Sequence, residues 1–151
     1  MSQLIGATYD FPNLNFRDMK TQVFRLLPGQ DLKDEIRKVV LAKGIQAGWI
    51  VTCVGSLSRF NLRFANSSEG TQREGFFEIV SLTGTLSIRG SHLHISAADM
   101  DGMVSGGHLL DGNIVYTTAE IVIGYDESLA FSREKDGTTE WAELQIKNLN
   151  L

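Results

Sequence analysis

Apolar residues recur at helical spacing in one segment of the chain. Four of them fall on a single helical face, at Leu32, Ile36, Val39 and Val40. Asp31 precedes this segment and is a favourable N-cap residue, because its carboxylate can accept hydrogen bonds from the first free backbone amides. Gly44 follows it and suits a left-handed C-terminal cap. The pattern therefore predicts one helix between Asp31 and Gly44.

The rest of the ordered pattern is typical of β-structure, with apolar and polar residues alternating or with β-branched runs. Polar, glycine-rich stretches at 66–75 and 99–112 are predicted to be loops. Predicted breaks lie at Gly55-Ser56 and near Gly84. The predicted strands cover 19–27, 49–64, 76–88, 91–96, 113–123, 129–133 and 141–146. One helix and about seven strands indicate an α+β domain built on a mostly antiparallel sheet, with the last two strands closing it.

The chain has 151 residues, which suits a single domain. Residues 1–17, with Pro12, lack clear periodicity and are predicted to be an irregular arm before a domain at 18–151. The one cysteine, Cys53, lies in an apolar run and is predicted to be a buried thiol. No segment has the ~20 apolar residues of a membrane span, and the first residues lack signal-peptide character. A cytoplasmic location without membrane contact is expected.

The formal net charge is −4, which does not favour a large phosphate-binding surface. The charges are unevenly distributed along the chain. Residues 17–63 hold nine basic and four acidic side chains, whereas residues 64–151 hold five and thirteen. This asymmetry allows a local basic surface, but the basic residues of the predicted helix are equally explained as a solvated helix face.

The three histidines of the chain, His92, His94 and His108, lie within seventeen positions. On a strand, His92 and His94 project from the same face. His108 follows two glycines, so a turn is predicted to bring a third imidazole to the same place. Three neutral imidazoles with an open position are a recurrent catalytic zinc site. The alternative is that the histidines are polar residues on a solvated strand face.

Two glutamates lie within segments otherwise suited to burial. Glu120 is in the run 114–123 and Glu78 in the run 76–80. A buried carboxylate needs a partner, whereas an outward-facing one is simply solvated. Candidate partners are the arginines, whose forked donors can bind both carboxylate oxygens, at Arg59, Arg63 and Arg89.

Taken in order, several short motifs resemble the PPC domain, named for plants and prokaryotes conserved. The resemblance extends from about residue 21 to residue 147. The motifs are LPGQDL at 27–32, VGSL at 54–57, FEIVSLTG at 77–84, LHIS at 93–96, DG at 101–102 with GGHL at 106–109, and TAE at 118–120.

The resemblance implies a strongly bent, mostly antiparallel sheet with one main helix, similar to the acetolactate decarboxylase-like fold, and assembly as a homotrimer. It also implies that His92, His94 and His108 hold a divalent metal ion such as zinc. Members of the family are commonly described as DNA-binding, in plants through an AT-hook. This sequence has no Arg-Gly-Arg-Pro motif, and its net charge does not support DNA as a partner.

Two main functional hypotheses follow. In the first, a homotrimer with a three-histidine metal site binds a small molecule or acts on it, as a lyase or hydrolase by fold analogy alone. Glu120 and Glu78 are then candidate proton carriers, and Arg59 is a candidate for orienting an anionic group. In the second, the trimer is a regulatory module that binds DNA or scaffolds proteins, with the metal structural or absent. A third alternative is a metal-free trimer whose histidines only form hydrogen bonds.

Overall fold

One helix and eight strands make up the part of the chain that the computed structural model describes, residues 19–149. In chain order they are β1 (Lys20–Leu26), α1 (Leu32–Lys43), β2 (Gly48–Arg63), β3 (Thr71–Ser87), β4 (Gly90–Ala98), β5 (Val104–Leu109), β6 (Ile114–Tyr125), β7 (Leu129–Glu134) and β8 (Glu143–Asn148). The predicted arm at 1–17 lies outside the described residues.

The first six strands form one antiparallel sheet in the order β1-β6-β2-β3-β4-β5. The long strand β2 also pairs with β5 through its last residues, so the sheet curls until its β5 edge meets the end of β2. The α+β class and the bent, antiparallel sheet are confirmed. The prediction that the last two strands close this sheet is wrong, because β7 and β8 form a separate two-stranded sheet.

The predicted helix is confirmed with its caps. The Asp31 carboxylate accepts hydrogen bonds from the backbone amides of Lys33 and Asp34, each at 3.0 Å. Gly44 ends the helix in the left-handed conformation that glycine adopts at little cost. The buried face of α1 carries Leu32, Ile36 and Val40, which join the apolar core.

Gly55 and Gly84 do not break their strands, contrary to the prediction. Both have a positive φ, and both allow a neighbouring backbone to approach closely. A Cβ at Gly84 would lie 1.9 Å from the carbonyl oxygen of His92, and one at Gly55 would lie 2.1 Å from that of Thr118. Strands β2 and β3 therefore run through these positions, and the glycines permit the bend.

Two predicted loops are shorter than expected. Strand β3 begins at Thr71, inside the predicted loop 66–75. The stretch 99–112 contains β5, because the side chain of Asp99 accepts bonds from the backbone amides of Asp101 and Met103 and confines the turn to a few residues. Its glycines are then free to continue as a strand beside β4.

The Cys53 thiol is buried, as predicted, and burial raises its pKa to about 12. Within residues 19–149 there is no helix long and apolar enough to cross a membrane.

Candidate metal centre

Strand register brings the three histidines together. His92 and His94 project from one face of β4, while Leu93 and Ile95 between and beside them are buried in the core on the other face. His108 lies on β5 and pairs directly with His94. The third imidazole is therefore delivered by a strand, and the predicted delivery by a turn is wrong.

The imidazole nitrogens available as ligands all lie within 4.8 Å of one another. The Nε2 atoms of His92 and His94 are 3.1 Å apart. Nδ1 of His108 is buried and has no hydrogen-bond partner within the described residues. A buried ring nitrogen left unpaired is costly unless something outside the chain binds it. The donor set and this unpaired atom fit a divalent metal ion bound by three histidines.

The surroundings keep two of these imidazoles neutral. Burial lowers the pKa of His108 to about 4, with further lowering by the nearby charges of His92 and Arg63. Burial also lowers the pKa of His92, and the guanidinium of Arg133 acts in the same direction. A neutral imidazole has the free lone pair that a metal ligand requires, so both effects favour metal binding at neutral pH.

A cleft of about 500 Å³ opens beside His92, between the end of β2 and the β7–β8 hairpin. We call it the histidine cleft. It is lined by Arg63, Asn66, Ser67, Ser68, His92, Arg133, Trp141, Ala142 and Glu143. Its size is within the range of small-molecule binding sites.

One arginine connects the hairpin to the strand beside the histidines, and the backbone amide of Phe131 also donates to the carbonyl oxygen of Gln46 at 2.8 Å. The guanidinium of Arg133 donates to Oγ1 of Thr85 at 3.2 Å, and Thr85 is the strand partner of His92. On the opposite wall, Arg63 is the strand partner of His108, and its guanidinium lies 5.3 Å from the ring centroid of Trp141. The cleft thus joins one wall from the main sheet to a second wall from the hairpin.

The other predicted site residues lie away from the histidines. Glu78 is exposed on β3 and lies five residues before Thr83, the strand partner of His94. Five residues span about 16 Å along an extended strand. Glu120 is exposed on β6 and pairs with Val54. Arg59 donates to the carbonyl oxygen of Gly112 and lies 3.6 Å from a carboxylate oxygen of Glu74. In the described part of the chain, these three residues do not meet the histidines.

Most residues that line the cleft were not identified from the sequence as site residues, among them Arg133, Trp141 and Glu143. These three lie at least 25 positions after the last histidine, in two segments whose pattern is typical of ordinary strands. Only the folding of the hairpin onto β3 brings them beside His92. The Trp141–Glu143 spacing resembles a strand face and gives no separate signal of a binding site.

Solved structures share this fold. A hypothetical protein from Salmonella enterica is 38% identical, with a TM-score of 0.85, and the match covers 86% of this chain and 94% of that one. The metal-containing protein AF0104 from Archaeoglobus fulgidus is 27% identical, with a TM-score of 0.71 and coverage of 83% and 93%. A candidate DNA-binding protein from Bacteroides thetaiotaomicron has a TM-score of 0.72 at 23% identity, covering 85% and 91%, and shows likeness of fold alone.

Two curated relatives are the bifunctional protein GlmU from two Synechococcus strains. For strain JA-3-3Ab the identity is 41% over 131 residues, which is 87% of this chain. The chain spans only about a fifth of the length of these relatives.

The model of the Plants and Prokaryotes Conserved (PCC) domain matches residues 14–125. The matched range includes all three histidines and ends before the β7–β8 hairpin. It covers most of the chain and agrees with the fold of the solved relatives. The chain therefore belongs to the Plants and Prokaryotes Conserved domain family.

Proposed function

We propose that this protein binds one divalent metal ion, preferably zinc, through His92, His94 and His108, and binds a small molecule in the histidine cleft. The observation that carries the proposal is the convergence of three imidazoles, one with a buried and unpaired Nδ1 atom. The metal-containing relative from Archaeoglobus fulgidus gives independent support. Three protein ligands leave a coordination position for a further ligand.

A divalent ion bound there would polarise a carbonyl group or lower the pKa of a water molecule. The protein contributes three converging imidazoles, two of which are kept neutral by their surroundings, and a cleft that opens beside one of them. His92 and His94 are exposed, so the site is accessible from the cleft. This arrangement suits the binding of a small polar molecule.

Elemental analysis of the purified full chain tests the metal proposal. We expect about one zinc ion per chain in the wild type and none in the triple His92→Ala, His94→Ala, His108→Ala variant. Ser91→Ala is the matched control, because Ser91 lies beside His92 on β4 and should leave the metal content unchanged. Absence of metal from the wild type after zinc is supplied would overturn the proposal.

We also propose that the chain assembles as a homotrimer through the outer face of the sheet. This face presents exposed apolar side chains on neighbouring strands, among them Val54 and Val80, which are 57% and 58% exposed. Phe76 and Tyr116 add two rings in contact, with centroids 4.6 Å apart. Contiguous apolar surface of this kind is typical of protein–protein contacts.

Analytical ultracentrifugation tests the assembly. We expect a trimer for the wild type and a smaller species for Val54→Lys, because the lysine charge would be buried in the contact. Leu41→Lys is the matched control, since Leu41 is 53% exposed on α1, away from the sheet face. A monomeric wild type would contradict the assembly and leave the metal proposal standing.

A catalytic role for Glu78, Glu120 and Arg59 is proposed only in the trimer. Both glutamates are exposed on strands that carry the apolar outer face. In the proposed trimer, their side chains would therefore lie against a neighbouring subunit. The isosteric Glu78→Gln and Glu120→Gln variants should then keep the metal content and the trimeric state of the wild type. They should lose whatever catalytic activity the wild type shows toward a small molecule. Retained activity in both would exclude them as proton carriers.

DNA binding is the second candidate, and the observation that favours it is the uneven distribution of charge along the chain. The helix offers little free positive charge, because three of its four basic residues are paired with acidic ones. The pairs are Lys33 with Asp111, Arg37 with Asp34, and Lys38 with Asp34 and Glu35. Fluorescence anisotropy of a labelled duplex at low salt tests this alternative, and salt-sensitive binding would support it.

A further inference from the structure

Two arginines face the histidine cleft without an acidic partner. Arg63 and Arg133 are both half-buried, and neither forms a salt bridge within residues 19–149. Arg63 donates to the carbonyl oxygen of Ser67 at 3.4 Å. Arg133 donates to that of Ala142 at 3.3 Å and to Oγ1 of Thr85. Their hydrogen-bond acceptors are therefore neutral oxygens.

Charge balance in the cleft calls for an anion. The single carboxylate among the lining residues, Glu143, is bound by the hydroxyl of Thr139. Once a divalent ion is bound by the three histidines, this one carboxylate balances only part of the positive charge of the ion and the two guanidinium groups. Uncompensated positive charge in a partly desolvated cleft is unfavourable, so binding of an anion would be stabilised there.

We propose that the histidine cleft binds a small organic carboxylate, whose carboxylate group lies between Arg63 and Arg133 and whose neighbouring oxygen faces the metal position. This inference rests on the proposed function and names the ligand class of that same site. Guanidinium forks match the planar carboxylate geometry. Glu143 disfavours a doubly charged phosphate more than a singly charged carboxylate, because like charges repel.

Trp141 completes the binding surface. Its ring packs against the guanidinium of Arg63, an arrangement that fixes the arginine and adds an apolar wall. Trp141 is 64% exposed, so its side chain is available to cover a ligand's carbon skeleton. A carboxylate with a short apolar body therefore fits the lining better than an inorganic anion.

The test is isothermal titration of the zinc-loaded full chain with pyruvate, which carries a carboxylate beside a carbonyl oxygen. Methyl pyruvate is the matched control ligand, because esterification removes the charge. We expect binding of pyruvate, at least about tenfold weaker binding of methyl pyruvate, and a similar loss for Arg63→Gln and Arg133→Gln, since charge-assisted hydrogen bonds contribute at least that much. Arg89→Gln is the control variant, at an exposed turn position.

Zinc content is measured on the same samples. Zinc bound in all variants, with pyruvate binding lost only in the Arg63 and Arg133 variants, supports the inference. Zinc bound but equal affinity for pyruvate and its ester, or unchanged affinity in both arginine variants, overturns it. Tighter binding of inorganic phosphate than of pyruvate overturns the carboxylate assignment. Absence of zinc from the wild type counts instead against the proposed metal site.

Discussion

The two walls of the histidine cleft are built in different ways. The histidine wall belongs to the main sheet, where strand pairing fixes His94 opposite His108 and Leu93 anchors β4 in the core. The hairpin wall belongs to a separate two-stranded sheet and reaches the histidines through Arg133 and its bond to Thr85. The first wall lies within the family match and the second lies beyond it.

This difference indicates a division of roles. Packed, paired strands hold ligands in fixed geometry, which suits a metal ion that demands set distances. A hairpin attached by a few contacts can vary without disturbing that geometry, which suits the recognition of a particular small molecule. Substitutions in the two walls should therefore have separable effects on metal binding and on ligand binding.

The largest effect is expected for Gly84→Ala, in the strand behind the histidine wall. A Cβ there would overlap the backbone carbonyl of His92, so the free energy of unfolding should fall by about 4 kcal/mol or more. Gly90→Ala is a matched control with nearly the same φ, 136° against 138°, but with open space around it, and should cost about 1–2 kcal/mol. Urea denaturation measures both, and equal losses would contradict the close approach.

Removal of one histidine should lower zinc affinity far more than a substitution in the hairpin wall does. His108→Ala is expected to lower zinc affinity by at least about 100-fold, or about 2.7 kcal/mol, because it deletes one of three ligands. Arg133→Gln, in the opposite wall, should change zinc affinity by less than about threefold. Competition with a chromophoric chelator measures both values. Equal losses in the two variants would show that the walls are not separable.

The metal-free protein should lose stability in acid through His108. Its pKa is about 4 in the folded chain and near 6.5 when unfolded, so the unfolded state binds more protons between these values. The free energy of unfolding should therefore fall as pH falls from about 6.5 to about 4. Urea denaturation at several pH values measures this slope. It should be shallower in His108→Gln, with a residual slope from His92, and an unchanged slope would contradict the prediction.

The smallest effect is expected for Trp141→Ala, in the hairpin wall. The ring is mostly exposed and its described contact is with Arg63, so stability should change by less than about 1 kcal/mol. Thermal denaturation measures this change. The zinc content of this variant should equal that of the wild type. A loss of zinc would contradict the prediction, because it would show that the hairpin contributes to metal binding.

The sequence predicted the helix, most strands and the projection of His92 and His94 from one strand face, because each depends on local periodicity or on strand alternation. The meeting with His108 was also predicted, but through a turn instead of the pairing of β4 with β5. The helix from Asp31 to Gly44 has both a repeating apolar face and favourable caps. Strand β5 was missed because its glycines and aspartate-rich approach are typical of a loop, and only pairing with β4 makes it a strand.

The hairpin wall could not be predicted for a different reason. Arg133 and Glu143 have ordinary strand neighbours, and their role in the cleft depends on packing between sheets that are far apart in sequence. Local patterns carry no information about such packing. For the same reason, the sequence directed attention to Glu78 and Glu120, whose apolar neighbours lie partly on the exposed face of the sheet.

X-ray absorption spectroscopy of the zinc-loaded protein tests the central claim most directly, because it counts the ligands of the bound ion. Three imidazole nitrogens at about 2.0–2.1 Å, with one or two further oxygen ligands, are the predicted result. A zinc ion bound by fewer than three imidazoles, or by sulfur, would contradict the assignment of His92, His94 and His108 as its ligands.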